Sequence, residues 1–126
     1  MILTLQNVSK IIKDDRVVHC CKSPYDVLID RTTPYGNPFK LNEPLTLDQS
    51  VLLYGDDRHA GLLPNRKEIL VVYDNYVRKN PELLKELVKL EGKILGCWCS
   101  PKLCHGHAIM NIIDEHNDIV SELFEY

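Results

Sequence analysis

No stretch of this chain approaches the roughly 18 consecutive apolar residues of a membrane-spanning helix, so the sequence does not read as membrane-embedded. MILTLQNVSK at the start lacks the charged region and long apolar core of a secretory leader, and a cytoplasmic protein is the expectation. Low-complexity runs and internal repeats are also missing, which argues against disorder. No Cys-x-x-Cys pair occurs anywhere, and His59 is followed by Ala60 and Gly61 rather than by a glutamate. Zinc-dependent base deamination, which needs H-x-E followed by P-C-x-x-C, is therefore excluded. Basic residues are the minority, 15 Lys and Arg against 18 Asp and Glu for a net charge of −3. The global field does not point to nucleic acid, although a local basic site stays compatible with it. Five cysteines, an odd number with Cys20 and Cys21 adjacent, make a poor disulfide framework and suit a reducing compartment.

What is present fits one domain: 126 residues, 44% hydrophobic and 26% charged, is ordinary globular composition with enough chain to bury a core. Strands are expected at Ile2, Leu3 and Leu5, at Arg16 to Cys20 with β-branched Val17 and Val18, and at Asp26 to Asp30. From Arg31 to Asn65 the density of turn formers predicts a long irregular segment interrupted only by a short helix at Leu47 to Tyr54. Asn65 with Glu68 three residues on reads as a capping box ahead of Ile69, Val72, Tyr73, Tyr76 and Val77 at helical spacing. Asn80 and Pro81 start a second helix carrying Leu83, Leu84, Leu87 and Val88, with Gly92 as the stop. Lys93 to Cys99 reads as a strand and Leu103 to Asn117 as a helix, with Ile119, Val120, Leu123 and Phe124 as a last amphipathic turn. The order predicts an α/β fold: a mixed or mostly parallel sheet flanked by helices in a Rossmann-like three-layer arrangement.

Nine residues, Cys97 to His105, hold three of the five cysteines, the only tryptophan and a histidine. Strand alternation would set Cys97 and Cys99 on one face and Trp98 on the other. Pro101 would break the strand and open the helix, leaving Cys104, His105 and His107 at a helix N-terminus, where the dipole favours a thiolate or a bound anion. Three readings compete. Cys97, Cys99, Cys104 and His105, or His107 in place of His105, could hold tetrahedral zinc, although the C-x-C-x₄-C-H spacing is unlike that of familiar structural sites. Cys104, with Cys99 nearby and His105 or His107 as base, could be a catalytic thiol. Or the cysteines simply pack as small buried hydrophobes, with Trp98 in the core and the histidines satisfied locally.

After the third strand come Arg31, Thr32, Thr33, Pro34, Tyr35, Gly36, Asn37, Pro38 and Phe39. Arg31 could grip a phosphate or carboxylate, completed by Thr32 and the backbone of Gly36 and Asn37, while Lys102 adds a positive charge beside the last helix. Of His19, Cys20 and Cys21, alternation would let at most one thiol join such a site. The charged run Asp56, Asp57, Arg58 and His59 reads first as a solvated loop.

DVLIDR, GNPF, then Arg66, Ile69, Tyr73 and Tyr76 on a helix, and finally GKILGCWCSPKLCHGHAI together resemble the small phage and bacterial family DUF4326 over about residues 25 to 115. This chain differs from the usual pattern by extra sequence between Phe39 and Arg66, by Tyr76 where tryptophan is common, and by a longer N-terminal lead. The resemblance implies that Arg31, Asn37 and the cysteine–histidine segment belong to one site, and it supplies no reaction. Both loops leave the carboxyl ends of strands, where α/β folds bind ligands. If those strands are neighbours, Arg31 and Asn37 meet Cys99, Cys104 and His105 across one crevice. The expectation is an enzyme of unknown class acting on a nucleotide-like or other anionic small molecule. A non-catalytic nucleotide- or nucleic-acid-binding module with a structural zinc, or a phage protein that binds a host partner in the host cytoplasm, are the alternatives.

Overall fold

A computed structural model describes residues 1–11, 14–99 and 102–124, with the side chains of the last helix described up to residue 118. Strands Val17–His19 (β1), Val27–Leu28 (β2) and Leu95–Cys97 (β3) form one parallel sheet in the order β1-β3-β2. The last strand in sequence is thus the central one, with Leu95 level with both Val17 and Val27. Helices Leu47–Tyr54 (α1), Arg66–Arg78 (α2), Pro81–Val88 (α3) and His105–Phe124 (α4) complete the α/β fold. Among the described residues, no helix is long and apolar enough to cross a membrane.

The helix starts follow from the caps. Asn65 accepts from the Glu68 N–H at 2.9 Å while the Glu68 carboxylate accepts from the Asn65 N–H at 2.8 Å. Thr46 and Gln49 repeat the device at α1, and Asn80 caps α3 ahead of Pro81. Each such cap satisfies backbone donors that the helix itself leaves unpaired. α2 then buries Ile69, Val72, Tyr73 and Val77 against α4, whose Ala108, Ile109, Ile112 and Ile113 form the facing stripe. α4 also packs on β3, so the core lies between the sheet and the α2–α4 pair. On the other side of β3, Gly96 lies under the Tyr25 ring.

The N-terminal strand expected at Ile2, Leu3 and Leu5 does not form. Residues 1–4 have no regular structure, and a turn leads into a 3-10 helix at Val8–Lys10. The physical reason is that the donors a strand would use are taken locally: Leu3 N–H goes to the Asp74 carboxylate at 3.1 Å, and Thr4 N–H to the Asn7 side chain at 2.8 Å. The remaining strands are shorter than expected because their flanks enter turns. α3 ends at Val88 rather than at Gly92, which nonetheless has the positive φ of 79° that favours glycine. α4 continues past Asn117 to Phe124. Ser100 and Pro101, and the side chains of the expected apolar turn from Ile119 to Phe124, lie outside the described residues.

Gly106 sets how closely α4 approaches the sheet. A Cβ there would lie 2.8 Å from Val17 Cγ1 and 2.9 Å from Ile29 Cδ1, both core side chains. Gly106→Ala is therefore expected to cost about 1–3 kcal/mol through overpacking, read as a lower urea midpoint. An unchanged midpoint would mean that the start of α4 is not wedged against β1 and the β2 end.

Candidate functional site

β2 runs directly into Ile29, Asp30 and Arg31, and the Ile29 N–H donates to the Gly96 carbonyl at 2.9 Å. The Asp30 carboxylate then ties three segments together. It accepts from the Thr32 N–H at 2.9 Å, from the Thr32 hydroxyl, and from the Trp98 indole N–H at 3.1 Å. These bonds, the Thr32 hydroxyl first, hold its carboxyl below the usual range. Gly36 presses its backbone onto this strand end, where a Cβ would lie 2.4 Å from the Asp30 carbonyl oxygen and 2.6 Å from Arg31 Cα. Only glycine fits so close an approach. Asn37 is buried and its Oδ1 accepts from the Phe39 N–H at 2.9 Å, while the Arg31 guanidinium donates to the Phe39 carbonyl at 3.1 Å.

The result is a cleft of about 490 Å³ at the carboxyl ends of β2 and β3. Arg31, Asn37, Cys97, Cys99, Cys104 and His105 all line it, so the neighbouring-strand condition is met and the two loops face one another. Lys40 and Arg66 line it as well. Three cationic side chains thus surround the cleft, against the single carboxylate of Asp30. Among the described residues, no hydrogen bond or ion pair engages the Arg66 guanidinium. Phe39, Leu41, Ile69 and Trp98 supply apolar wall.

Four of the expected ligand-binding residues do not line this cleft. Thr32 spends its donors on Asp30, Gly36 shapes the loop, Lys102 is exposed with its N–H on the Cys99 carbonyl, and His107 is buried. His107 Nδ1 accepts from the Cys104 N–H at 3.1 Å, which places it inside the helix start. The Asp56–His59 run is also elsewhere: Asp56 pairs with Arg58, and the His59 ring stacks on Tyr54 at 3.6 Å.

The thiols depart from expectation. Cys97 and Cys104 are both buried with their sulfurs 3.2 Å apart. The shared hydrogen bond with Cys97 and then burial push the Cys104 thiol up, against the expected lowering at a helix start. A Gly106 N–H works in the lowering direction and is outweighed. Trp98 is not core: it is 59% exposed and lines the same cleft as Cys97 and Cys99, because β3 ends at Cys97 and strand alternation ends with it. Cys99 is the half-buried thiol of the cleft.

His105 is buried, with Nε2 2.6 Å from the Ile29 carbonyl oxygen and the Tyr73 ring edge-on at 5.3 Å. Since a carbonyl only accepts, Nε2 must carry the hydrogen. Burial above all, with Arg31 and His107 adding to it, pushes the imidazole down to about 4. At neutral pH His105 is an uncharged donor that holds the β2 end, and Nε2 has no lone pair to offer a substrate or metal. Cys97, Cys99, Cys104 and His105 do not converge as a four-ligand set. Among the described residues, the donors of a metal-ligating type that come within 4.8 Å of one another as a triad are His19, Cys20 and Cys21.

Sequence patterns flagged Arg31 and Asn37 through the turn after β2. Arg66 was visible only as part of the family pattern, and Lys40 carried no signal beyond its closeness to the GNP turn. Residues 12–115 match the family described as "Domain of unknown function (DUF4326)". A curated relative from Enterobacteria phage T4, the "Uncharacterized 12.4 kDa protein in nrdA-td intergenic region", is 30% identical over 113 residues, 87% of this chain and 87% of that protein. No solved structure matches.

Proposed function

The chain belongs to the DUF4326 family, and from that premise we propose that its cleft binds a nucleotide-like anionic small molecule, with Arg31, Arg66 and Lys40 holding the anion. The observation that carries this reading is the concentration of three cations against one carboxylate in a chain whose net charge is −3. Guanidinium groups grip phosphate or carboxylate oxygens in forked pairs, and a cleft walled by low-dielectric side chains strengthens that attraction. The volume of about 490 Å³ suits a small-molecule ligand. Trp98 and Phe39 offer ring surface on which a base could rest. The position at the strands' carboxyl ends agrees with ligand sites in α/β folds.

A covalent step in this cleft falls to Cys99 rather than to Cys104. Cys104 is buried against Cys97 and its thiol is held protonated, whereas a nucleophile must be a thiolate within reach of the ligand. His105 serves as a positioning residue for the β2 end, not as a general base through Nε2.

Thermal unfolding with inorganic phosphate and with nucleoside mono-, di- and triphosphates tests the reading. A nucleotide at about 100 times its Kd stabilises the folded state by about 2.7 kcal/mol, and the expected melting shift should vanish in both Arg31→Ala and Arg66→Ala. Arg31 also braces the Phe39 carbonyl, so Arg66→Ala is the cleaner variant. Stabilisation by none of the anions, or stabilisation that survives Arg66→Ala, would sink the proposal. A response to phosphate equal to that of the nucleotides would restrict it to a phosphate site.

A further inference from the structure

We propose that His19, Cys20 and Cys21 form a second functional site, a zinc site at the carboxyl end of β1 beside the anion cleft. β1 ends at His19, so strand alternation no longer separates the next two side chains, and the turn brings both thiols round to one side with the imidazole. The three ligand atoms lie within 4.8 Å of one another. The two sulfurs are 3.9 Å apart. Two thiolates on one tetrahedral zinc, at a Zn–S distance of about 2.3 Å, stand about 3.8 Å apart. The thiol pair is therefore already spaced for shared zinc ligation, and it is far from the S–S bond length of about 2.05 Å that a disulfide requires.

The turn that carries these groups is fixed by the backbone. Cys20 N–H donates to the Cys97 carbonyl at 2.9 Å, and Lys22 and Ser23 N–H groups both donate to the His19 carbonyl, at 3.0 and 3.1 Å. The His19 ring is held edge-on by Trp98 at 5.9 Å. Cys21 is exposed, and His19 and Cys20 are half-buried, so an ion has access from solvent. Two thiolates and one imidazole are a soft donor set that suits zinc, and three protein ligands leave the fourth position for water or a bound molecule. Two features oppose binding: the Cys21 N–H donates to His19 Nδ1 at 3.1 Å, a hydrogen bond that zinc taken at Nδ1 displaces, and desolvation with the neighbouring Cys21 thiol raises the Cys20 thiol, which must lose its proton to bind. Each thiol loses its proton on binding, so affinity rises with pH. Trp98 is common to both places, since it lines the anion cleft and backs the His19 ring.

Co²⁺ titration of the chelator-stripped, reduced full chain tests the proposal. One equivalent should give a thiolate-to-cobalt charge-transfer band with tetrahedral visible bands, and one equivalent of Zn²⁺ should abolish them. Cys20→Ser and Cys21→Ser should each weaken binding by more than about tenfold, while Cys99→Ser leaves it unchanged. Circular dichroism verifies that the variants, altered at side chains near the surface, are folded. Absence of a saturable thiolate–cobalt band overturns the site, as does a band that survives both single substitutions. A band lost with Cys97→Ser or Cys104→Ser instead would move the metal into the cleft. The anion reading is tested on the metal-free chain, so either proposal can fail without the other.

Discussion

Asp74→Ala is expected to destabilise the protein by about 2–4 kcal/mol, because two N–H groups lose their acceptor at roughly 1–3 kcal/mol each. Asp74 is fully buried on α2. Its Oδ2 accepts from Arg78 Nε at 2.9 Å and from the Leu3 N–H at 3.1 Å. Arg78 in turn reaches Glu115 on α4 at 2.6 Å and the Met1 carbonyl at 3.1 Å, and the Met1 ammonium pairs with Glu115 at 3.2 Å. Asn111 adds a bond to the same carbonyl at 2.7 Å. One carboxylate thus anchors the N-terminal segment to the α2–α4 pair, and its loss leaves Arg78 Nε and the buried Leu3 N–H without an acceptor, while Arg78 keeps Glu115 and the Met1 carbonyl. Burial raises the Asp74 carboxyl, with Leu3 and Arg78 pulling the other way. The charged form is therefore costly to hold and depends on its partners. Asp74→Asn keeps the shape and, with its amide oxygen in the Oδ2 position, both hydrogen bonds, but it loses the charge and buries an N–H₂ at the Oδ1 position where no partner stands, and should fall between wild type and alanine. Urea unfolding checks the series. A loss below 1 kcal/mol for the alanine variant would show that the N-terminal segment is held by other contacts.

That network was not legible in the sequence, and the reason is physical. Ile2, Leu3 and Leu5 alternate as a strand would, but alternation does not reveal that the Leu3 N–H has a carboxylate 71 residues away as its partner. Helix starts were legible because their determinants are local: Asn65 with Glu68, and Asn80 with Pro81, satisfy backbone donors within one turn. The cleft was legible in outline for a similar reason. Strand ends were expected at Asp30 and Cys99, each two residues past the observed ends at Leu28 and Cys97, and parallel pairing of β2 with β3 brings their exits together. What failed was alternation carried past a strand's end. It put Trp98 opposite the cysteines and kept Cys20 and Cys21 apart, whereas β3 stops at Cys97 and β1 at His19. The state of the Cys104 thiol also escaped, because helix position argues for lowering while burial and the Cys97 sulfur, both tertiary, argue more strongly for raising it.

Stability should fall by about 3 kcal/mol between pH 6.5 and pH 4 through one residue, His105. In the unfolded chain its imidazole takes a proton near 6.5, whereas in the folded chain burial holds that event down to about 4. Between those limits the unfolded state binds more protons, so acid favours unfolding. The contribution is complete above pH 6.5 and is lost as pH falls toward the folded value, at about 1.4 kcal/mol per pH unit. Protonation sets a charge in a buried position beside Arg31 and His107, which both oppose it, while Asp30 and the Ile29 carbonyl favour it without prevailing. The lowered carboxyls of Asp14, Asp30 and Asp56 have an ordinary value of 3.8, below this window, and Glu115, at 4.5, enters only its lower end, so their loss comes mainly at lower pH. Asp74, whose carboxyl is raised, acts in the opposite sense, its ionisation costing stability as pH rises. The comparison that isolates His105 is therefore with His105→Gln, whose amide N–H can still donate to the Ile29 carbonyl and which does not titrate. Urea unfolding at intervals from pH 7 to 4 should show a steeper decline for wild type than for the glutamine variant, the gap between them narrowing by about 3 kcal/mol. Parallel curves would mean that His105 takes up its proton in the folded state as readily as in the unfolded one, and that the β2 end gives way to admit the charge.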